Sequence, residues 1–204
     1  MEEQDKALTA AYWQARYENG DTGWDAGRIT EPVKQYFAQI SDKNAKILIA
    51  GAGNAHEAIY LYQNGFKNIY VCDWAAAPLA YISAALPDLP KNQLLQADFF
   101  ALDMPNFFDF AVEQTFFCAL PPAQRPDYAQ KMQNLLKKEG KIVGLIFDFA
   151  LNPQVGPPFG GDKSEYISYF SPYFANINLT PCYNSIKPRA GKELWVNISG
   201  IKLS

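Results

Sequence analysis

The 204-residue chain is 49% apolar and 19% charged, with 18 Lys+Arg against 21 Asp+Glu and a formal net charge of −3. That composition supports one packed domain with a short extra arm and excludes a disordered chain. The near-even charge balance leaves no broad electrostatic footprint for nucleic acid or an anionic membrane, so neither is expected as a partner.

In chain order, Met1-Glu2-Glu3-Gln4-Asp5-Lys6 lacks the basic start and apolar run of a secretory signal, and a cytoplasmic protein is expected. An amphipathic stretch to about Tyr17, a turn at Asn19-Gly20-Asp21-Thr22-Gly23, then Trp24 and a helix after Pro32 form an arm over 1–45 that reads as a lid. From Lys46 onward, short β-branched runs alternate with helix-period segments, the pattern of a parallel sheet covered on both faces. The pattern predicts strands over 46–50, 68–72, 93–97, 108–112 and 141–147. The last of these does not alternate polar with apolar and suits the middle of the sheet.

Between the first two strands, Ala55, Ala58, Ile59 and Tyr62 recur at helical spacing, with Asn54 as the expected cap, Glu57 as its partner and Gly65 as the stop. His56 is expected to face solvent in the first turn. The stretch 75–86 is broken by Pro78 and Ser83 and is far short of the ~20 residues needed to cross a membrane. A helix from Pro126 buries Tyr128, Ala129, Met132, Leu135 and Leu136, with Lys137 and Lys138 in its last turn opposing the dipole. After a Pro/Gly loop over 152–161, a helix over 162–171 and strands over 175–180 and 193–201 complete the chain. The expected fold is a three-layer α/β domain, a doubly wound, mostly parallel seven-stranded sheet over 46–204 with the N-terminal helical lid.

Ile47-Leu48-Ile49-Ala50-Gly51-Ala52-Gly53 is a strand entering a glycine turn before a helix, an arrangement that lets backbone approach a nucleotide. His56 stands where a dinucleotide fingerprint wants a small residue, which argues for a mononucleoside rather than NAD. Asp73 follows the second strand, where a carboxylate can accept from ribose hydroxyls, and Asp98-Phe99 follows the third, where an adenine would lie. Cys72, Cys118 and Cys182 are odd in number and set among apolar neighbours, and His56 is the sole histidine, so neither a disulfide framework nor a metal site is expected. Cys118 reads as a buried, inert thiol.

These residues resemble the class I S-adenosylmethionine-dependent methyltransferases, within them the thiopurine methyltransferase-like group and its thiol/halide branch. The resemblance runs from Trp13 to Glu193. It rests on Trp13-x3-Tyr17-x6-Trp24 with Asp25 and Gly27-Arg28, Gly51-x-Gly53-x-x-His56-Glu57, Asp98-Phe99-Phe100, Phe116-Phe117-Cys118-Ala119-Leu120, Arg125-Pro126, Gly156-Pro157-Pro158-Phe159 and Gly191-Lys192-Glu193.

The resemblance implies a Rossmann-like fold with S-adenosyl-L-methionine as cofactor. Trp13, Tyr17 and Trp24 would close over it, Gly51 and Gly53 pass its methionine part, Asp73 holds the ribose, and Asp98 and Phe99 frame the adenine. Glu113, at the end of the fourth strand, would orient the cofactor or counter its charge, or be satisfied by loop amides. The chain departs from the family pattern at Tyr17 (Trp), Glu113 (Asp), Gln114 (Arg in the thiopurine branch) and Phe159 (Tyr in plant relatives), which leaves the acceptor open. Phe116, Phe117, Phe159, Tyr166 and Tyr183 are the expected lining of a small pocket for a soft nucleophile: a thiol, a halide or a thiopurine-like sulfur. The implied partner is that small-molecule acceptor, and a monomer is expected. An NAD(P)-dependent oxidoreductase or a non-catalytic S-adenosylmethionine-binding module are the alternatives.

Overall fold

The computed structural model describes residues 8–202, so the opening stretch inspected for a secretory signal lies outside the described residues. The elements are α1 (Ala10–Glu18), α2 (Glu31–Ala38), β1 (Ile47–Ala50), α3 (His56–Gln63), β2 (Ile69–Asp73), α4 (Ala76–Ala85), β3 (Leu94–Gln96), β4 (Phe108–Gln114), α5 (Arg125–Leu135), β5 (Leu136–Phe147), α6 (Lys163–Phe170), β6 (Phe174–Pro181) and β7 (Glu193–Ile201). Seven strands form one sheet in the order β3-β2-β1-β4-β5-β7-β6. The first five pair in parallel, and β7 inserts antiparallel between β5 and β6.

Every residue of β1 is buried because its two faces meet different helix layers. Ile47 and Ile49 pack with Val33 and Phe37 of α2, Ala58 and Leu61 of α3, and Ile82 of α4. Leu48 and Ala50 face the opposite way, toward Tyr128, Ala129 and Met132 of α5. A strand with no polar face therefore belongs at the centre of a three-layer stack, and β1 pairs with β2 on one side and β4 on the other. The order in which strands are added reverses between the parallel neighbours β1 and β4, and in such folds ligands collect at the carboxyl ends beside that switch point.

Several local expectations are corrected. Ala55, in the left-handed region at φ 41°, precedes α3 without a side-chain cap, and Asn54 does not cap the helix. Its amide donates instead to Asp25 of the arm. The helix carrying Tyr128 ends at Leu135, and Lys137 lies in β5, where its ammonium sits 2.8 Å from Asp109. β5 starts earlier than expected because Leu136 already pairs with Phe108 across a register shift. The apolar stretch 75–86 is α4, ten residues long. Among the described residues no helix is long and apolar enough to cross a membrane.

Candidate active site

The carboxyl ends of β1, β2 and β4 and the N-terminal arm enclose a cavity of about 480 Å³, within the range of small-molecule sites. Beyond Ala50 the chain turns through Gly51 at φ 57° and Gly53 at φ 52°. A Cβ on Gly51 would fall 2.0 Å from the Phe116 ring, and one on Gly53 3.0 Å from the Tyr17 hydroxyl. The Phe116 ring leaves no room for a side chain at Gly51, the Tyr17 hydroxyl crowds one at Gly53, and the positive φ favours glycine at both.

Asp73, 8% exposed, links the ends of β1 and β2. Its carboxylate accepts from the Gly53 amide at 3.1 Å and the Ala75 amide at 2.9 Å. Burial pushes its carboxyl above the usual range, against the pull of the Ala75, Gly53 and Trp74 amides. Asp98 caps the 3₁₀ turn Phe99–Ala101 by accepting from Phe100 N at 2.9 Å. Asp73, Asp98, Phe99 and Phe100 all line the cavity, as the strand-end reading expects.

The arm closes the other side. Thr9 caps α1, and Gln14 accepts from the Ala77 amide at 3.1 Å, docking α1 on the start of α4. Trp24 lies edge-on to Trp13 and Tyr17, with ring centroids 5.5 and 5.6 Å apart, and Arg16 stacks 4.9 Å from its ring. Trp13, Tyr17 and Trp24 face the cavity. Burial, and then the nearby Asp73 carboxylate, raise the Tyr17 hydroxyl pKa, so it stays neutral.

Phe116, Phe147, Pro157 and Pro158 form an apolar wall, and two guanidiniums, Arg189 and Arg16, line the cavity with it. Arg189 is 8% exposed, pairs with Glu193 at 3.3 Å, donates to the Trp24 carbonyl and stacks on Phe147 at 5.5 Å. The sequence reading missed it. Its only signal was a position four residues before Glu193, in the segment whose Gly191-Lys192-Glu193 motif carried no assigned role.

The remaining expected residues stand behind this wall or outside it. Glu113 does not line the cavity. Its carboxylate accepts from the Phe116 and Phe117 amides at 2.8 and 2.9 Å and from the Tyr128 hydroxyl at 2.6 Å, and burial pushes its pKa up to about 7. It holds the turn after β4, in which Thr115 takes φ 65° and Phe116 is delivered to the cavity. Phe117 is buried 4.8 Å beneath Arg125, and Tyr166 is buried with its hydroxyl donating to the Phe147 carbonyl at 2.7 Å. Phe159 packs under the Pro-Pro loop, its amide donating to Cys118 O at 2.9 Å. These three side chains support the pocket without lining it. Tyr183 is a correction: it is 89% exposed and bonded to Gln35, away from the cavity, because the β6–β7 loop directs it to solvent.

His56 is corrected as well. It is half-buried, its Nε2 2.7 Å from an Asp25 oxygen. Glu57 is buried rather than serving as a capping partner, and burial raises its pKa.

Residues 8–196 match the family model described as "Thiopurine S-methyltransferase (TPMT)". The chain belongs to the thiopurine S-methyltransferase family. It is an S-adenosylmethionine-dependent methyltransferase. The family resemblance extends to a probable thiol methyltransferase 2 of Arabidopsis thaliana, 28% identical over 184 residues, covering 89% of this chain and 81% of that one. A thiocyanate methyltransferase 1 of Brassica oleracea is 27% identical with the same coverage. A thiopurine S-methyltransferase of Pseudomonas fluorescens is 23% identical over 74% of this chain and 76% of its own. Among solved structures, the 1,6-didemethyltoxoflavin-N1-methyltransferase of Burkholderia thailandensis, with bound 1,6-didemethyltoxoflavin and S-adenosylhomocysteine, shares the fold at a TM-score of 0.74. The two are 16% identical, with 96% of this chain and 87% of that one covered.

Proposed function

We propose that this methyltransferase acts on a small, soft, anionic nucleophile, a thiolate or pseudohalide/halide ion, rather than on a bulky thiopurine. The observation that carries the reading is the acceptor end of the cavity, an apolar wall of Phe116, Phe147, Pro157 and Pro158 around the cation of Arg189. Such a pocket favours an anion that sheds water easily and arrives already nucleophilic. Cys118, the thiol in that wall, is kept protonated, chiefly by burial and then by the Glu113 charge, and so is suited neither to act as a base nor to compete for methyl. Gln114, where the thiopurine branch carries arginine, turns its carbonyl to the Thr30 hydroxyl at 3.0 Å and lies outside the cavity lining. The relatives named for thiol and thiocyanate methylation support the same choice.

The residues present fit the cofactor. Asp73 would take the ribose hydroxyls, Asp98 and Phe99 the adenine, and the Gly51–Gly53 turn the methionine part. Trp13, Tyr17 and Trp24 would lie over the sulfonium, each well-placed ring contributing ~0.5–2 kcal/mol. Bound there, S-adenosylmethionine would supply an electrophilic methyl on a positively charged sulfur: the anion would bond to that carbon in line as the carbon–sulfur bond breaks, its electron pair leaving with the sulfur of S-adenosylhomocysteine and no proton being transferred. The arm's rings exclude water, Arg189 holds the anion, and the Pro157-Pro158 wall limits its size. Glu113 acts one step back, holding the Phe116 turn through its amides. Three buried free thiols, Cys72, Cys118 and Cys182, support a reducing cytoplasmic setting.

The test is the rate of S-adenosylhomocysteine formation with bisulfide, thiocyanate, iodide and 6-mercaptopurine. At least one small anion is expected to exceed the thiopurine in kcat/KM by about tenfold or more, the discrimination a size-limited apolar pocket gives. A thiopurine preferred over every small anion, or product with none of the three small anions, would overturn the reading.

A further inference from the structure

Methylation does not account for the Asp25–Asn54–His56 cluster, which joins two motifs far apart in the chain. Asp25 immediately follows Trp24, the central ring of the arm. Its Oδ1 accepts from the Gly27 amide at 2.7 Å and lies 2.7 Å from His56 Nε2, while Oδ2 accepts from the Asn54 amide. Asn54 and His56 belong to the turn that begins at Gly51 and Gly53, with the left-handed Ala55 between them. The contact is three-quarters or more shielded, with side-chain exposures of 18% and 20% for His56 and Asp25. Burial raises the Asp25 pKa, but the Gly27 amide, Asn54 and His56 outweigh it and hold the carboxyl below its usual range. On the other side of Trp24, Arg189 fixes its carbonyl.

Trp24 is therefore fastened at two points, to the glycine turn through Asp25 and to the acceptor wall through Arg189. Tyr17 completes the closure, its hydroxyl resting over Gly53. The charged and titratable groups around the latch are Asp25, Tyr17 and Arg16 from the arm, the buried Glu57 from α3, and Arg189 at the Trp24 carbonyl.

We propose that His56 is a positioning residue, which fastens Trp24 over the cavity through Asp25 and thereby sets how tightly the enzyme captures its cofactor. The inference rests on the reading of this cavity as the cofactor site. The imidazole need not touch cofactor or acceptor: removing it lowers the fraction of enzyme whose lid is closed, and apparent affinity falls by that fraction. Chemistry within the closed complex is untouched, so the loss falls on cofactor binding rather than on turnover at saturation. The hydrogen bond that the imidazole makes to the Asp25 carboxylate, 2.7 Å from Nε2, is the contact that carries the effect.

The experiment is calorimetric titration of the full-length enzyme with S-adenosylhomocysteine, with kcat measured at saturating S-adenosylmethionine, for wild type, His56→Ala, His56→Gln, Asp25→Ala and the double Ala variant. The expected result is a Kd about tenfold weaker for His56→Ala with kcat within about threefold, corresponding to loss of one charge-assisted hydrogen bond. Gln, which keeps an N–H donor, recovers most of the affinity. The double variant binds no worse than the weaker single one, because both residues act through one contact.

A Kd unchanged in His56→Ala, or affinity and kcat lost together with no rescue by Gln, would overturn the latch. If His56→Ala does not fold, Asp25→Ala decides, and a Kd equal to wild type there counts against the inference. Wild-type enzyme that fails to bind the nucleoside at all would instead overturn the cofactor-site reading beneath it.

Discussion

Glu113 shows how far a residue's role depends on the partners folding brings to it. From its position at the end of β4 it could equally face the cofactor or the backbone, and the structure places its carboxylate on two loop amides and the Tyr128 hydroxyl. Its pKa of about 7 in the folded chain stands above the ordinary 4.5, so between those values the native state holds a proton that the unfolded state has released. Stability therefore falls as pH rises through that window, by up to about 3 kcal/mol from this residue, and the fall is complete above about pH 7. Urea midpoints at pH 5 and pH 8 are expected to show that decline, and Glu113→Gln is expected to remove Glu113's share of it. A variant as pH-dependent as wild type would contradict the assignment. Asp73 and Asp98 were legible from the sequence because strand ends expose them wherever the strands lie in the sheet. Arg189 and Tyr183 were not: one belongs to the site only because Trp24 and Glu193 converge on it, and the other leaves it because its loop turns outward.

Among the elements, the arm and the glycine turn act as one unit. α1 is amphipathic enough to be read from sequence, yet it has no fully buried residue of its own and is held by Gln14, by the Trp24 ring cluster and by the Asp25 latch. Such a segment opens at low free-energy cost when its cavity is empty and closes on a ligand. Amide exchange over 13–24 is expected to slow by about an order of magnitude or more on addition of S-adenosylhomocysteine, while β1 and β4 change little. Equal exchange with and without ligand would contradict the lid. The sequence pattern placed α3, α5 and α6 correctly, α6 between Asp162 and Ser171, but misjudged the cap of α3 and the end of α5. The Asn54 side chain, a good cap by type, is drawn away by Asp25, 29 residues earlier, and Lys137 leaves the helix because Leu136 pairs with Phe108. In both cases a tertiary partner outweighs a local preference of about 1 kcal/mol.

At the scale of the whole molecule, the sheet order was predictable as a class and not in detail. Consecutive buried strands with helices between them require a parallel, doubly covered sheet. The insertion of β7 between β5 and β6 depends on the facing registers Leu145↔Trp195 and Leu179↔Val196, which no single segment carries. That arrangement leaves the carboxyl ends of β1, β2 and β4 free beneath the arm, and the central claim is that this opening holds the nucleoside, with Asp73 as its anchor. Calorimetric titration of wild type and Asp73→Asn with S-adenosylhomocysteine, with NADH as control and circular dichroism to verify folding, tests it most directly. The expected result is binding of the sulfur nucleoside but not NADH by wild type, weakened about tenfold to a hundredfold in Asp73→Asn, as removal of a charged hydrogen-bond acceptor entails. Equal affinity in a folded Asp73→Asn variant, or binding of NADH in its place, would contradict it.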